Sequence, residues 1–63
     1  MVMFIVVKGC EVVKENCIKV YRETLGKTEP KKDTMVEWLA SGFPYKGLVY
    51  HKDSQFIYIR VLA

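Results

Sequence analysis

The sequence predicts an α+β fold, in which two helices pack on a three-stranded, mostly antiparallel sheet in the order β-α-α-β-β. Three observations lead to this prediction. An apolar run opens the chain, apolar residues recur at helical spacing in its middle, and apolar residues alternate with others near its end. A chain of 63 residues makes one domain, residues 1–63, with a small core.

The spacing of apolar residues changes near residue 10, and this change separates a predicted first strand from a predicted first helix. Residues 2–7 read VMFIVV, a run of β-branched and other apolar residues that is typical of a buried strand. A helix is predicted at residues 11–25, because apolar residues recur there at every fourth position. These residues are Val13, Cys17, Tyr21 and Leu25. Gly26 follows, where a left-handed residue commonly ends a helix.

A second, shorter helix is predicted after the polar loop at residues 27–32. Thr34 and Glu37 have the spacing of a capping box, which satisfies free N–H groups at a helix start. Three apolar residues then share one helical face, and Gly42 ends the helix. These residues are Met35, Trp38 and Leu39. A helix of two turns does not form alone, so we expect it to pack on the rest of the domain.

Two strands, residues 48–51 and 55–61, are predicted at the C-terminal end, joined by a tight hairpin at residues 52–54. The second strand has an apolar face that we expect to join the core, formed by Ile57, Ile59 and Val61. Its other face mixes aromatic and charged residues, namely Phe56, Tyr58, Arg60 and Leu62. We expect residues 2–7 to pair with residues 55–61, because this arrangement leaves the fewest open edges.

Composition narrows the classes of function. Ten Lys and Arg against seven Asp and Glu give a net charge of +3, which permits binding to nucleic acid without requiring it. The longest apolar run is far shorter than a membrane span, so the sequence predicts a cytoplasmic protein without a membrane partner. No nucleophile with its base, phosphate-binding loop or cofactor motif is recognisable, so we expect no enzymatic activity and no cofactor.

The two cysteines are expected to be free thiols. Cys10 and Cys17 lie in a chain that carries no sign of secretion, which leaves a disulfide as the minor alternative. His51 is the only histidine, and one histidine with two cysteines at this spacing does not match a zinc site. The sequence therefore predicts no bound metal.

Residues 34–51, TMVEWLASGFPYKGLVYH, resemble the end of a small helix-turn-helix repeat found in the DNA-binding tails of homing endonucleases, the intron-encoded nuclease repeat. The matching positions are Thr34, Met35, Trp38, Leu39, Ser41, Gly42, Pro44, Tyr45, Lys46, Gly47 and Tyr50. Upstream, Leu25 and Gly26 match the pair that ends the family's first helix. The resemblance implies a winged helix-turn-helix-like unit in a free-standing small protein, of the kind that phages and mobile elements encode.

This resemblance implies a non-enzymatic DNA-binding protein, such as a transcription regulator. Its second helix would enter the major groove of duplex DNA, and its C-terminal hairpin would lie beside the backbone as a wing. The candidate DNA-binding residues are Lys27, Lys31, Lys32, Thr34, Tyr45, Lys46 and Lys52. The exposed positions of that helix offer no Arg, Lys, Asn or Gln, so we expect binding mostly through charge.

A second hypothesis is a phage-encoded inhibitor that binds a host or defence enzyme. It depends on an exposed patch of aromatic residues, formed by Phe43, Tyr45, Tyr50, Phe56 and Tyr58. A homodimer is compatible with either hypothesis, through an open strand edge or through this patch. The sequence leaves the choice of partner open.

Overall fold

A computed structural model describes residues 2–62 and shows one six-stranded mixed sheet. The strands are β1 (Met3–Phe4), β2 (Cys10–Lys14), β3 (Cys17–Tyr21), β4 (Met35–Ala40), β5 (Phe43–Lys52) and β6 (Phe56–Val61). Between β3 and β4 the chain forms a single helical turn, α1 (Arg22–Leu25), and a 3-10 turn (Gly26–Thr28). The order across the sheet is β1-β4-β5-β6-β3-β2, and only the β1–β4 pair is parallel. The predicted fold of two helices on three strands, and with it the winged helix-turn-helix, is therefore wrong.

The first predicted helix, residues 11–25, is mostly the β2–β3 hairpin. A spacing of four residues also keeps side chains on one face of a strand, so the apolar repeat did not exclude strands. Ile18 and Val20 are β-branched and buried, as strand residues that face a core would be. Asn16, with φ of 61°, supplies the left-handed turn between the two strands.

The second predicted helix is strand β4, and the capping box does not form. Val36 and Trp38 are buried at alternate positions of this strand. The Ser41-Gly42 pair, with φ of 53° and 80°, makes a two-residue turn into β5. Two consecutive residues with positive φ are typical of the hairpin turn whose twist matches that of the flanking strands. Gly42 thus turns a hairpin and does not end a helix.

The strand predictions had mixed outcomes. Strand β6 matches the predicted strand at residues 55–61, and its predicted apolar face lies in the core, with Ile57 and Ile59 fully buried. Strand β5 is much longer than residues 48–51. The predicted strand at residues 2–7 is reduced to β1, which pairs with β4, whereas β6 pairs with β3 and β5.

The core lies on one side of the curled sheet, which we call the inner face. The centre of this face consists of strand residues that are fully or almost fully buried, and they include Val20, Val36, Trp38, Val49, Ile57 and Ile59. Connecting segments complete the core, since Ile5, Leu25 and Pro30 are also buried. The opposite side, which we call the outer face, receives the alternate residues of the same strands.

Gly47 lets three strands meet within this small core. A Cβ atom at this position of β5 would lie 2.5 Å from Ile59 Cγ2 and 2.7 Å from the Arg60 carbonyl oxygen. It would also lie 3.2 Å from the Trp38 ring. Only glycine therefore lets the Trp38 ring of β4 approach Ile59 of β6 across the intervening strand.

Candidate functional site

Five aromatic rings form a continuous row on the outer face, which we call the aromatic face. The row is made of Tyr21 from β3, Tyr50 and His51 from β5, and Phe56 and Tyr58 from β6. Ring centroids are 4.6 Å apart for Tyr21 and Phe56, 6.4 Å for Phe56 and Tyr58, and 5.2 Å for His51 and Tyr58. Tyr50 joins the row at 6.2 Å from Tyr58. These distances are those of interacting aromatic pairs.

Most of this row results from the alternation of side chains along β6 and from the register between β3 and β6. In β6, Phe56 and Tyr58 alternate with the buried Ile57, so both rings leave the core on the same side. Tyr21 lies directly opposite Phe56 in the antiparallel β3–β6 pair, which brings their rings together. Tyr21 is 48% exposed, so its ring is available to a partner at one end of the row.

A bulge in β5 adds two rings at the other end of the row. The register with β6 shifts between Val49 and His51, which leaves Tyr50 as the extra residue. Such a bulge interrupts the alternation of side chains. As a result, Tyr50 and His51 are consecutive in the chain, yet both rings lie beside Tyr58.

Two cations flank the row. The Lys19 Nζ lies 4.4 Å from the centroid of the Phe56 ring, and the Arg60 guanidinium carbon lies 6.0 Å from that of Tyr50. Lys19 also contacts Glu11 Oε2 at 3.3 Å. Arg60 is exposed and, within residues 2–62, forms no ion pair. Its charge is therefore available to an anionic ligand beside the rings.

Hydrogen bonds hold the middle of the row in place. The Tyr58 hydroxyl donates to Asp53 Oδ2 at 2.8 Å, and Asp53 Oδ1 accepts from the backbone N–H groups of Gln55 and Phe56 at 2.8 and 2.7 Å. These backbone bonds, followed by that from Tyr58, lower the pKa of the Asp53 carboxyl. The same contact with Asp53 raises the pKa of Tyr58, and burial raises that of Tyr50, so both phenols are neutral hydrogen-bond donors at pH 7.

A second carboxylate ties the segment after β3 to the end of β5. Glu29 Oε1 accepts from Arg22 Nε at 2.9 Å, and Glu29 Oε2 lies 2.5 Å from Lys52 Nζ. Arg22 also donates to the Asp53 carbonyl oxygen at 2.8 Å. The hydrogen bonds from Arg22 and then Lys52 lower the pKa of Glu29. This network positions the hairpin that carries Asp53, and it occupies the Lys52 ammonium.

The predicted DNA-binding residues fall into two groups: those on the segment before β4, to which the Glu29 ion pair ties Lys52, and Tyr45 and Lys46 on β5. Lys27 lies in the 3-10 turn, and Lys31 and Lys32 lie on the loop before β4. Thr34 also precedes β4, where its N–H bonds to the Lys31 carbonyl at 3.2 Å and its own carbonyl accepts from Val49 at 3.1 Å. It is not at a helix N-terminus, so no helix dipole or free N–H groups of a helix adjoin it for binding a phosphate.

The remaining predicted residues lie on β5. Tyr45 is on the inner side, where its ring stacks on Trp38 with centroids 5.9 Å apart. Lys46 is its neighbour in the chain and therefore lies on the outer face, opposite Glu37. Lys46 alone of the predicted residues shares the outer face with the aromatic row while remaining outside the ion pairs described for residues 2–62.

The aromatic patch expected for an inhibitor divides into two surfaces. Tyr50, Phe56 and Tyr58 belong to the aromatic face, whereas Phe43 and Tyr45 lie on the opposite side of β5. Sequence reasoning missed Tyr21 and Lys19, because both were placed in a helix. Period-two alternation in Cys17–Tyr21, opposite the same alternation in β6, is the signal that would have found them.

Comparison with protein-family models, curated proteins and solved structures finds no match to this chain. The resemblance to the intron-encoded nuclease repeat therefore stays a prediction, without the helix-turn-helix that it implied. Within residues 2–62, no helix has the length and apolar character needed to cross a membrane. The same residues contain no cluster of three or more His, Cys, Asp or Glu that could hold a metal ion.

Replacing Tyr58 with Phe tests the hydrogen bond that holds the middle of the row. The folded-state pKa of Asp53 is lowered, so its contribution to stability is present above the unfolded-state pKa and is lost as pH falls through the folded one. Without the Tyr58 hydroxyl, the Asp53 pKa should rise toward its ordinary value, and acid unfolding should begin at a higher pH. NMR titration of the Asp53 carboxyl carbon measures the first effect, and circular dichroism against pH measures the second. An unchanged Asp53 pKa would contradict the described contact.

Proposed function

We propose that this chain binds single-stranded nucleic acid on the aromatic face, as a small non-enzymatic binding protein. The observation that supports the proposal is the unbroken row from Tyr21 to Tyr50, with Lys19 and Arg60 beside its rings. Sheet surfaces that bind single strands combine the same two elements: aromatic rings on which bases stack, and cations that follow the backbone.

The rings would supply most of the binding energy. Stacking of one base on an aromatic side chain contributes about 1–3 kcal/mol and tolerates any base, because every base has a flat π surface. Phe56 and Tyr58 are half-buried and Tyr21 is half-exposed, so their rings are both supported and accessible. The hydrogen bond from Tyr58 to Asp53 limits the conformational entropy that binding would cost.

The cations would supply the attraction to phosphate. Arg60 and Lys46 lie on the outer face outside the ion pairs of residues 2–62, and Lys19 lies over Phe56. Neutralising phosphates releases counterions, so the affinity would fall as salt rises. This dependence would distinguish a nucleic acid from an uncharged partner on the same rings.

Single strands suit this surface better than duplex DNA. Base faces are hidden within a duplex and exposed in a single strand. The helical element α1 has only four residues, too few to serve as a recognition helix in the major groove. The proposed partner is therefore still a nucleic acid, and the aromatic face takes the place of the expected recognition helix as the binding surface.

A cytoplasmic location is part of the same proposal. Cys10 is exposed and Cys17 is buried, and neither forms a disulfide. Free thiols suit a reducing compartment such as the cytoplasm.

Replacing Tyr21 with Ala tests the stacking row. The variant should bind a labelled single-stranded oligonucleotide of about 12 nucleotides more weakly by about 1–3 kcal/mol, a loss of roughly 5- to 150-fold, because one base loses its aromatic support. Fluorescence anisotropy measures the affinity, and circular dichroism verifies the fold.

Phe43→Ala is the matched control for this substitution. It removes a ring that is 66% exposed but lies on the opposite side of the sheet, so affinity should stay close to that of the wild type. A loss for Phe43→Ala equal to that for Tyr21→Ala would contradict the assignment of the aromatic face. Absence of binding by the folded wild-type protein would reject the proposal.

Replacing Arg60 with Gln tests the phosphate contact. For single strands, each phosphate contact contributes about 0.7 to the slope of log affinity against log salt concentration. The Arg60→Gln slope should be shallower by about this amount, measured by anisotropy over about 50–200 mM salt. Lys31→Gln makes the same charge change on the loop before β4 and should leave the slope unchanged. A flattening confined to Lys31→Gln would place the binding surface on that loop.

A further inference from the structure

The two edges of the sheet differ in how they are protected from other chains. An exposed edge strand offers unpaired backbone groups, and proteins usually shield it with charged side chains. Strand β2, at one edge, carries the exposed charges Glu11 and Lys14. Residues 2–7, which form the other edge with β1, carry no charged side chain. The β1 edge is therefore open to strand pairing.

Hydrogen bonding shows which backbone groups of this edge are free to pair. The Ile5 N–H donates to the Glu37 carbonyl of β4 at 2.9 Å. Because successive residues of a strand direct their N–H and C=O groups to opposite sides, those of Phe4 and Val6 point away from β4. The same alternation places the Val2 groups on the free side.

Side chains along this edge are apolar and exposed. Val2 is 41% exposed, Phe4 59%, Val6 57% and Leu39 of β4 56%. Phe4, Val6 and Leu39 line an open groove of about 180 Å³ beside the edge. Apolar side chains thus adjoin unpaired backbone groups. A further strand of the same apolar character would bury the side chains and form hydrogen bonds with the backbone groups.

We propose that two copies of this chain pair through their β1 edges, antiparallel about a two-fold axis at Phe4. The segment is its own complement in this register. Phe4 lies opposite Phe4 of the second copy, and Val2 lies opposite Val6, so every facing pair is apolar and no charge is buried. The first charged side chain, Lys8, falls beyond the paired segment. A two-fold contact of identical surfaces closes on itself and gives a dimer.

The dimer does not depend on the proposed function. Dimerisation would nevertheless affect nucleic-acid binding, because a two-fold axis perpendicular to a continuous sheet keeps the outer faces of both copies on one side. Two aromatic faces would then be presented to the same strand of nucleic acid, which would raise its apparent affinity. A monomeric protein could still bind through one face, so the two proposals fail separately.

Val6→Lys tests the pairing, with Val12→Lys as the matched control. Both substitutions place a lysine at an exposed valine near a sheet edge, the first on the free edge and the second on β2, where Val12 is 77% exposed. Sedimentation equilibrium of the wild type should show a dimer that dissociates on dilution. Val6→Lys should be a monomer and Val12→Lys a dimer, all with the same circular dichroism spectrum.

Two further measurements keep the test decisive if a variant fails to fold. Phe4→Pro removes an N–H that β4 does not use, so it should give a folded monomer. In the wild type, amide exchange at Phe4 and Val6 should slow as protein concentration rises. A wild type that is monomeric throughout, a folded Val6→Lys variant that remains dimeric, or assembly that grows beyond a dimer would overturn the proposal.

Discussion

The alternation of side chains along one curled sheet is the constraint on which the rest of this structure depends. In a chain of 63 residues with a small core, the same strands supply both the core and the surface. In β6, Ile57 and Ile59 fill the core while Phe56 and Tyr58 leave it on the other side. The bulge in β5 is a local exception to this alternation, and it adds two rings to the aromatic face.

The sequence predicted the C-terminal strand and its core face because a strict two-residue alternation has only one structural interpretation. The helix predicted at residues 11–25 is wrong because a four-residue repeat fits a helix and a strand equally well. The decisive signals were turns: Asn16 between β2 and β3, and Ser41-Gly42 between β4 and β5. Asn16 lies inside the segment predicted as the first helix, and Gly42 was predicted to end the second, although β-branched residues in both segments favoured strands.

Predictions of site residues depended on the same distinction. Lys19 and Tyr21 could not be placed beside Phe56 without the β3–β6 register, which joins segments far apart in the chain. Tyr45 and Lys46 were both predicted to bind DNA, yet they are adjacent strand residues and therefore point to opposite faces. The use of Lys52 in an ion pair with Glu29 is a tertiary contact that no local pattern indicates.

The most direct test of this account is to map the surface that contacts a single-stranded oligonucleotide. Backbone and side-chain NMR shifts of the protein would be followed while an unlabelled oligonucleotide of about 12 nucleotides is added. If the aromatic face binds the strand, the shifts will be concentrated on the outer-face residues of β3, β5 and β6, led by Tyr21, Phe56 and Tyr58. Shifts concentrated on residues 27–34, or around Phe43 and Tyr45, would contradict it, as would a spectrum that the oligonucleotide leaves unchanged.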